Sequence, residues 1–227
     1  MLRNKMYING QWVDARSGKK STTINPFDQS PLAEIPSGGR EDAQTAIAAA
    51  RQAFDHGPWP RTSGQERGKK LMHMARLIER DREQLAELET LDTGKTLEES
   101  RWDMDGIADI FRYFAGLADK DGGEIIESPF SNTSSLLVRE PVGVCGQISP
   151  WNYPFLQASW KMAPALAAGC TIIMKPSEIT PLTAIKTTEL AEEVGFPPGV
   201  VNLVLGPGSS VGAELAESLD VDLISFT

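Results

Sequence analysis

Apolar positions change their period along the chain, and each change marks a different kind of element. Residues 7–36 read as short strands and turns. Tyr7, Ile8, Trp12 and Val13 flank Asn9-Gly10, the pair best suited to a two-residue hairpin turn. Thr22-Thr23-Ile24 runs into Asn25-Pro26, which ends that strand. From Glu41 the spacing becomes helical, with Ala43, Ile47, Ala50 and Phe54 at three- and four-residue steps. Gly57-Pro58-Trp59-Pro60 breaks it. Ser63 with Glu66 three residues on then matches a capping box, and Leu71, Met74, Ala75, Ile78, Leu85 and Leu88 form an apolar stripe behind it. A further helix is predicted from Lys95 to Ala118, after Thr93-Gly94.

Gly122-Gly123 opens a polar, strand-like stretch reaching Glu140. From Pro141 the pattern alternates. Val142–Ile148, Thr171–Met174, Val200–Leu205 and Leu223–Phe226 are short apolar or β-branched runs, with helical segments near 153–168, 181–194 and 209–218 between them. Pro181 suits a first helical position and Gly195 a helix end. Strand and helix in alternation predict a parallel sheet with crossover helices, an α/β, Rossmann-like core. The last run, Asp222–Thr227, reads as a buried parallel strand with no loop behind it. Ligands of open α/β sheets bind in just such loops, so the chain is expected to be a truncated form of a longer fold.

Charge and composition narrow the function classes. A formal charge of −9 over 227 residues argues against nucleic acid as a partner, because phosphates demand a basic footprint. Pro164 and Gly169 interrupt the longest apolar run, so no membrane span is expected, and no apolar segment follows the first charges as in a secretory signal. A cytoplasmic protein is the default. Cys145, Cys170, His56 and His73 lack the spacing of a metal site or a nucleophile triad.

Three turns at predicted strand ends carry candidate chemistry. Ser149-Pro150-Trp151-Asn152-Tyr153-Pro154 places an amide where its N–H can face a developing oxyanion; in isolation it also reads as a plain Pro/Asn turn. Lys175-Pro176-Ser177-Glu178 offers a cation and a carboxylate to ribose hydroxyls, or is a polar loop before the Pro181 helix. Gly206-Pro207-Gly208-Ser209-Ser210-Val211-Gly212 lets a ligand approach the backbone at a helix start, or is a glycine-rich βα turn. It departs from the dinucleotide fingerprint by one residue before its last glycine.

In this order, and with a terminal Ser225-Phe226-Thr227, the three turns resemble the aldehyde dehydrogenase superfamily. The likeness extends to Tyr7–Gly10, Asn25-Pro26 and Leu91–Lys95, and so spans the chain. Glu98–Ser100, Tyr113–Gly123 and Gln157–Lys161 resemble the betaine aldehyde dehydrogenase branch. The resemblance implies NAD as cofactor and an aldehyde as substrate, with betaine aldehyde oxidised to glycine betaine. It assigns Asn152 to the oxyanion and Lys161 to a proton relay. Lys175 and Glu178 become ribose contacts, and Ser149, Pro150, Trp151, Pro176, Ser177, Gly206 and Gly208 lie along the cofactor.

It further implies a structural monovalent cation, potassium or sodium, held by Asp92 and the main chain of Ile24 and Ile179. Residues 1–123 become the hairpin and helical part of the cofactor domain, 124–141 an arm pairing subunits of a homo-oligomer (dimer or tetramer), and 142–227 the dinucleotide-binding core. The nucleophilic cysteine and general-base glutamate are implied to lie beyond Thr227, leaving the chain inactive alone. Tyr153 and Trp160 are seven apart and would share a helix face, as a cation-binding aromatic pair or as core aromatics. Two other readings remain: a non-catalytic cofactor-binding or subunit-interaction fragment, and a general aliphatic aldehyde dehydrogenase.

Overall fold

The computed structural model describes residues 3–120 and 122–227. Asn9 and Gly10 both adopt positive φ (52° and 78°), the twist that matches paired strands, and join β1 (Met6–Ile8) to β2 (Gln11–Val13). A second hairpin, β3 (Lys20–Ile24) with β4 (Pro31–Pro36), forms its own two-stranded sheet. Helix α1 (Arg40–Asp55) follows Gly39, whose N–H donates to the Asp42 carboxylate at 2.9 Å, and it buries Ala43, Ala46, Ile47 and Ala50.

The apolar stripe after Ser63 belongs to two helices, α2 (Gly64–Arg80) and α3 (Arg82–Thr93), because the chain leaves helical geometry at Asp81. The Ser63 hydroxyl caps α2 by accepting from the Glu66 N–H at 3.2 Å. Gly94 closes α3 in the left-handed region (φ 80°), and Thr96 caps α4 (Leu97–Leu117). Strands β5 (Glu124–Ile126) and β6 (Ser135–Leu137) then pair as a separate ribbon with Ile125 and Leu136 exposed.

The alternating half follows as the apolar runs predict. It comprises β7 (Val144–Ile148), α5 (Pro154–Ala168), β8 (Thr171–Lys175), α6 (Leu182–Val194), β9 (Val201–Leu203), α7 (Ala213–Glu217) and β10 (Leu223–Phe226). The main sheet has six strands in the order β10-β7-β8-β9-β1-β2. β10, β7, β8 and β9 are parallel, while β1 lies antiparallel against β9 through Tyr7 and Leu203. The N-terminal hairpin therefore extends the same sheet as the strands near the other end of the chain.

Three details depart from the sequence pattern. Pro181 stands just before α6 rather than in it. The segment near 209–218 is a π-helical turn, Gly208–Gly212, followed by only five α-helical residues. β10 is not buried: it pairs with β7 at the sheet edge, and its Phe226 is 74% exposed.

Helices on both faces of the sheet bury one continuous core that includes Leu71, Met74, Phe111, Phe155, Met162, Ile172 and Leu203. Trp59, which the sequence presents only as part of a break, is fully buried. Its indole N–H donates to the Cys170 carbonyl at 3.1 Å, and its ring meets Phe196 edge-on at 5.2 Å. Replacing Trp59 with Ala should cost about 3–5 kcal/mol, since it empties a large buried site and orphans that carbonyl. Urea unfolding followed by circular dichroism measures this; an unmoved midpoint would show that Trp59 anchors nothing.

Candidate functional site

Parallel pairing sends the carboxyl ends of β7, β8 and β9 to one rim. The three turns singled out in the sequence leave the sheet there: 149–153 after β7, 175–179 after β8 and 206–208 after β9. They are joined to one another. The Ser149 N–H donates to the Lys175 carbonyl (3.1 Å), the Val204 N–H to the Met174 carbonyl (2.9 Å), and the Thr180 hydroxyl to the Trp151 carbonyl (2.9 Å). Gly212 faces Ile148 and Lys175, where an added Cβ would sit 3.7–3.8 Å from them.

Within the first turn Ser149 is buried and Pro150 half-buried, while Trp151 and Asn152 are exposed just ahead of α5. In the second, Pro176 is buried and Lys175 is only 3% exposed. The Lys175 ammonium donates to the Pro176 carbonyl at 3.0 Å and reaches the exposed Glu178 carboxylate at 3.4 Å. Burial pulls this lysine below its ordinary range, and Glu178 offsets part of the shift. Ser177 accepts from the Ile179 N–H at 3.3 Å, which shapes the loop. In the third, Gly206 has φ 145° and a Cβ would fall 2.4 Å from the Gly38 carbonyl, so only glycine fits. Gly208 has open space instead. A bare backbone surface therefore lies beside a buried cation and an exposed carboxylate, an arrangement suited to a dinucleotide's phosphates and ribose hydroxyls.

Tyr153 and Trp160 do not share a helix face as their spacing predicts. Tyr153 caps α5 from outside it (φ −135°, ψ 63°), so the seven-residue step is not helical. The half-buried Tyr153 donates its hydroxyl to Glu99 at 2.8 Å, and this hydrogen bond holds the phenol above its usual range. The Lys95 ammonium lies 4.0 Å from the ring centroid. Trp160 is half exposed rather than part of the core. Lys161, buried one residue further on, donates to the Thr227 hydroxyl at 2.6 Å, and burial lowers its pKa.

Asp92 is buried at the end of α3. One carboxylate oxygen accepts the Leu182 N–H at 2.8 Å, and the other is buried without a hydrogen-bond partner. Burial pushes its pKa up to about 7. Pro26 packs against Gly94, two residues after Asp92, and the start of α6 reaches Asp92 through Leu182. Among the described residues, no three His, Cys, Asp or Glu side chains group as metal ligands. Cys145 and Cys170 are buried free thiols, and Cys170 precedes β8, at the strand end opposite the rim.

Lys95 and Glu99, which the sequence shows only as parts of family-like stretches without a role, and Asp103 gather around Tyr153. A lysine flanked by carboxylates looks like an ordinary solvated helix start, and no local signal marks the contact with a ring more than fifty residues on.

Comparison with known proteins gives the family. The sequence profile of the aldehyde dehydrogenase family matches residues 12–227. The chain is 65% identical over 226 residues to betaine aldehyde dehydrogenase of Bacillus subtilis (strain 168), covering all of this chain and 46% of that protein. It is 46% identical over 225 residues to retinaldehyde dehydrogenase 3 of Rattus norvegicus, covering 98% and 44%. The crystal structure of betaine aldehyde dehydrogenase from Staphylococcus aureus in complex with NAD+ superposes with a TM-score of 0.98 at 56% identity, over 99% of this chain and 45% of that one. The chain thus spans about half the length of these relatives. No helix among the described residues is long and apolar enough to cross a membrane. The profile match across nearly the whole chain places this protein in the aldehyde dehydrogenase family.

Proposed function

We propose that this chain supplies the dinucleotide platform and the oxyanion donor of a cytoplasmic, NAD-dependent aldehyde dehydrogenase that oxidises betaine aldehyde to glycine betaine. The reading rests on one observation, the meeting of three turns at the rim formed by β7, β8 and β9. The Gly206–Gly212 backbone can approach a pyrophosphate because nothing crowds Gly208. Lys175 and Glu178 hold adenosine-ribose hydroxyls, with Ser149, Pro150, Trp151, Pro176 and Ser177 lining the same path. A carboxylate near the ribose 2′-oxygen repels the extra phosphate of NADP. NAD bound there accepts the hydride.

Asn152, exposed at the start of α5, donates its amide N–H to the oxyanion formed when a thiolate attacks the aldehyde. The thiolate and the general base are assigned to residues outside this chain; Cys145 and Cys170 are buried free thiols. Lys161 relays a proton beneath the site. Tyr153 and Trp160 contact the substrate's trimethylammonium group. The ribbon formed by β5 and β6 pairs subunits of a homo-oligomer, which accounts for its exposed Ile125, Phe130 and Leu136. A second reading, a general aliphatic aldehyde as substrate, draws support from Lys95, which already covers one face of the Tyr153 ring.

The orphan oxygen of Asp92, with the main-chain carbonyls of Ile24 and Ile179, suits a monovalent cation, potassium or sodium.

Three outcomes test these assignments. Lys175→Met should weaken NAD binding by about tenfold or more, the loss of one charge-assisted contact, and Glu178→Ser should narrow the preference for NAD over NADP; calorimetric titration with each nucleotide reads both. Equal affinities in all variants would move the cofactor elsewhere. In the active dehydrogenase, Asn152→Ala should lower kcat by roughly 100- to 1,000-fold with little change in KM, and unchanged kcat would remove Asn152 from the chemistry. Potassium chloride should raise the melting temperature by roughly 2–6 °C over choline chloride at equal ionic strength, through selective binding to the folded state. Asp92→Asn should abolish that increment; no difference between the salts would leave the cation site without support.

A further inference from the structure

Tyr153 is held by charged side chains from another part of the chain. Lys95, in the link between α3 and α4, places its ammonium 4.0 Å from the ring centroid. Glu99, in the first turn of α4, accepts the Tyr153 hydroxyl at 2.8 Å. Lys95 is itself fixed by Asp103 at 2.6 Å and approaches Glu89 at 3.6 Å, and all three of these side chains are at least nine-tenths buried. Glu99 and Asp103 are four apart on α4, so they stand one turn above the other on the same side of the helix. One tyrosine is thus fixed at its face by a cation and at its edge by an anion.

We infer that Lys95 and Glu99 are positioning residues for Tyr153, and that the balance of their opposite charges sets how strongly the site prefers a cationic aldehyde over a neutral one. This inference rests on the reading of Tyr153 as a substrate contact. The physical reason is electrostatic. A ring attracts a cation through its negative face, and an ammonium already on one face repels a second cation brought to the other. Lys95 therefore opposes a trimethylammonium group. Glu99 favours it, because its carboxylate stands at the ring's edge on a half-exposed surface. Asp103 and Glu89 draw the Lys95 charge back into the protein, which limits the repulsion. The two residues act in opposite directions on cationic substrates and hardly at all on neutral ones of the same shape.

That asymmetry separates a charge-setting role from a merely structural one. The test compares betaine aldehyde with its neutral tert-butyl isostere in the active dehydrogenase carrying this chain, reading the ratio of their kcat/KM values. Glu99→Gln keeps an acceptor for the hydroxyl but removes the charge. It should lower the ratio roughly five- to tenfold, mostly through KM for the cation, as expected for one unit charge about 8 Å away in a partly screened position. Lys95→Met should move the ratio upward, and Lys95→Arg should restore it. Because Lys95→Met leaves Asp103 without its partner and can cost the fold, Glu99→Gln decides the matter by itself. A ratio within twofold of the parent's in Glu99→Gln, with both aldehydes still oxidised, overturns the inference alone. A parent that oxidises neither aldehyde overturns the underlying functional reading and this inference with it.

Discussion

Parallel pairing of β7, β8 and β9 is the constraint on which the site depends. Strands running in one direction can be joined only by crossovers, and each crossover returns the chain to the amino end of the next strand. Every loop that leaves a carboxyl end must then emerge on the same rim. Two glycines make the returns possible: Gly169 (φ 97°) and Gly195 (φ 77°) end α5 and α6 in the left-handed region, and each is followed within a few residues by the next strand. Once the returns are made, the turns carrying Asn152, Lys175 and Gly206 reach one rim without any direct attraction among their side chains. Their proximity follows from topology, and their chemistry follows from what little else is at the rim.

The buried charges obey a second logic. Lys95, Glu89, Asp92, Lys161 and Lys175 are all withdrawn from water, which is costly unless each charge is partnered. Some are: Lys95 meets Asp103, and Lys175 meets a carbonyl and Glu178. Others are incompletely served. Burial pushes Glu89, like Asp92, up to about 7, and Lys161 finds a neutral hydroxyl rather than an anion. A core assembled for stability alone would hold apolar groups of similar volume at these places. Under the proposed function, their concentration near the ends of α3 and α4 and around α5 and β8 serves ligand recognition rather than stability.

Local signals carried most of the fold. Asn9-Gly10 specified its turn because both residues tolerate positive φ, and the apolar runs expected at 142–148, 171–174, 200–205 and 223–226 coincide within two residues with the strands Val144–Ile148, Thr171–Lys175, Val201–Leu203 and Leu223–Phe226. The three turns were legible for the same reason, since strand ends can be counted along the chain. Long-range pairing was not. Nothing about Tyr7 announces that it will lie beside Leu203, nothing about Gly38 that its carbonyl will crowd Gly206, and nothing about Trp59 that a proline-rich break will become a core anchor. Burial misled at the sheet edge. Apolar residues in β10 imply a covered strand, but an edge position with a single partner leaves them half exposed. The helical spacing of Tyr153 and Trp160 failed because a helix's first turn begins after its cap: Pro154 starts α5, and Tyr153 keeps non-helical geometry (φ −135°, ψ 63°) outside it.

That last displacement changes what Tyr153 can do. Inside the helix its ring would point along the α5 surface with Trp160, and the two would form a pair set only by their own helix. As a cap it turns toward α4, where Lys95 and Glu99 take hold of it. Its orientation is then decided by a different element, and its electrostatic environment by residues that never approach Asn152 in sequence. An aromatic side chain is often treated as a passive surface for a cation, with affinity fixed by ring type. Here the same ring carries a lysine on one face and a glutamate on its hydroxyl, so its attraction for a further charge depends on which of the two dominates. Selectivity can therefore change through α4 and the link before it, while the proposed oxyanion donor and cofactor rim stay as they are.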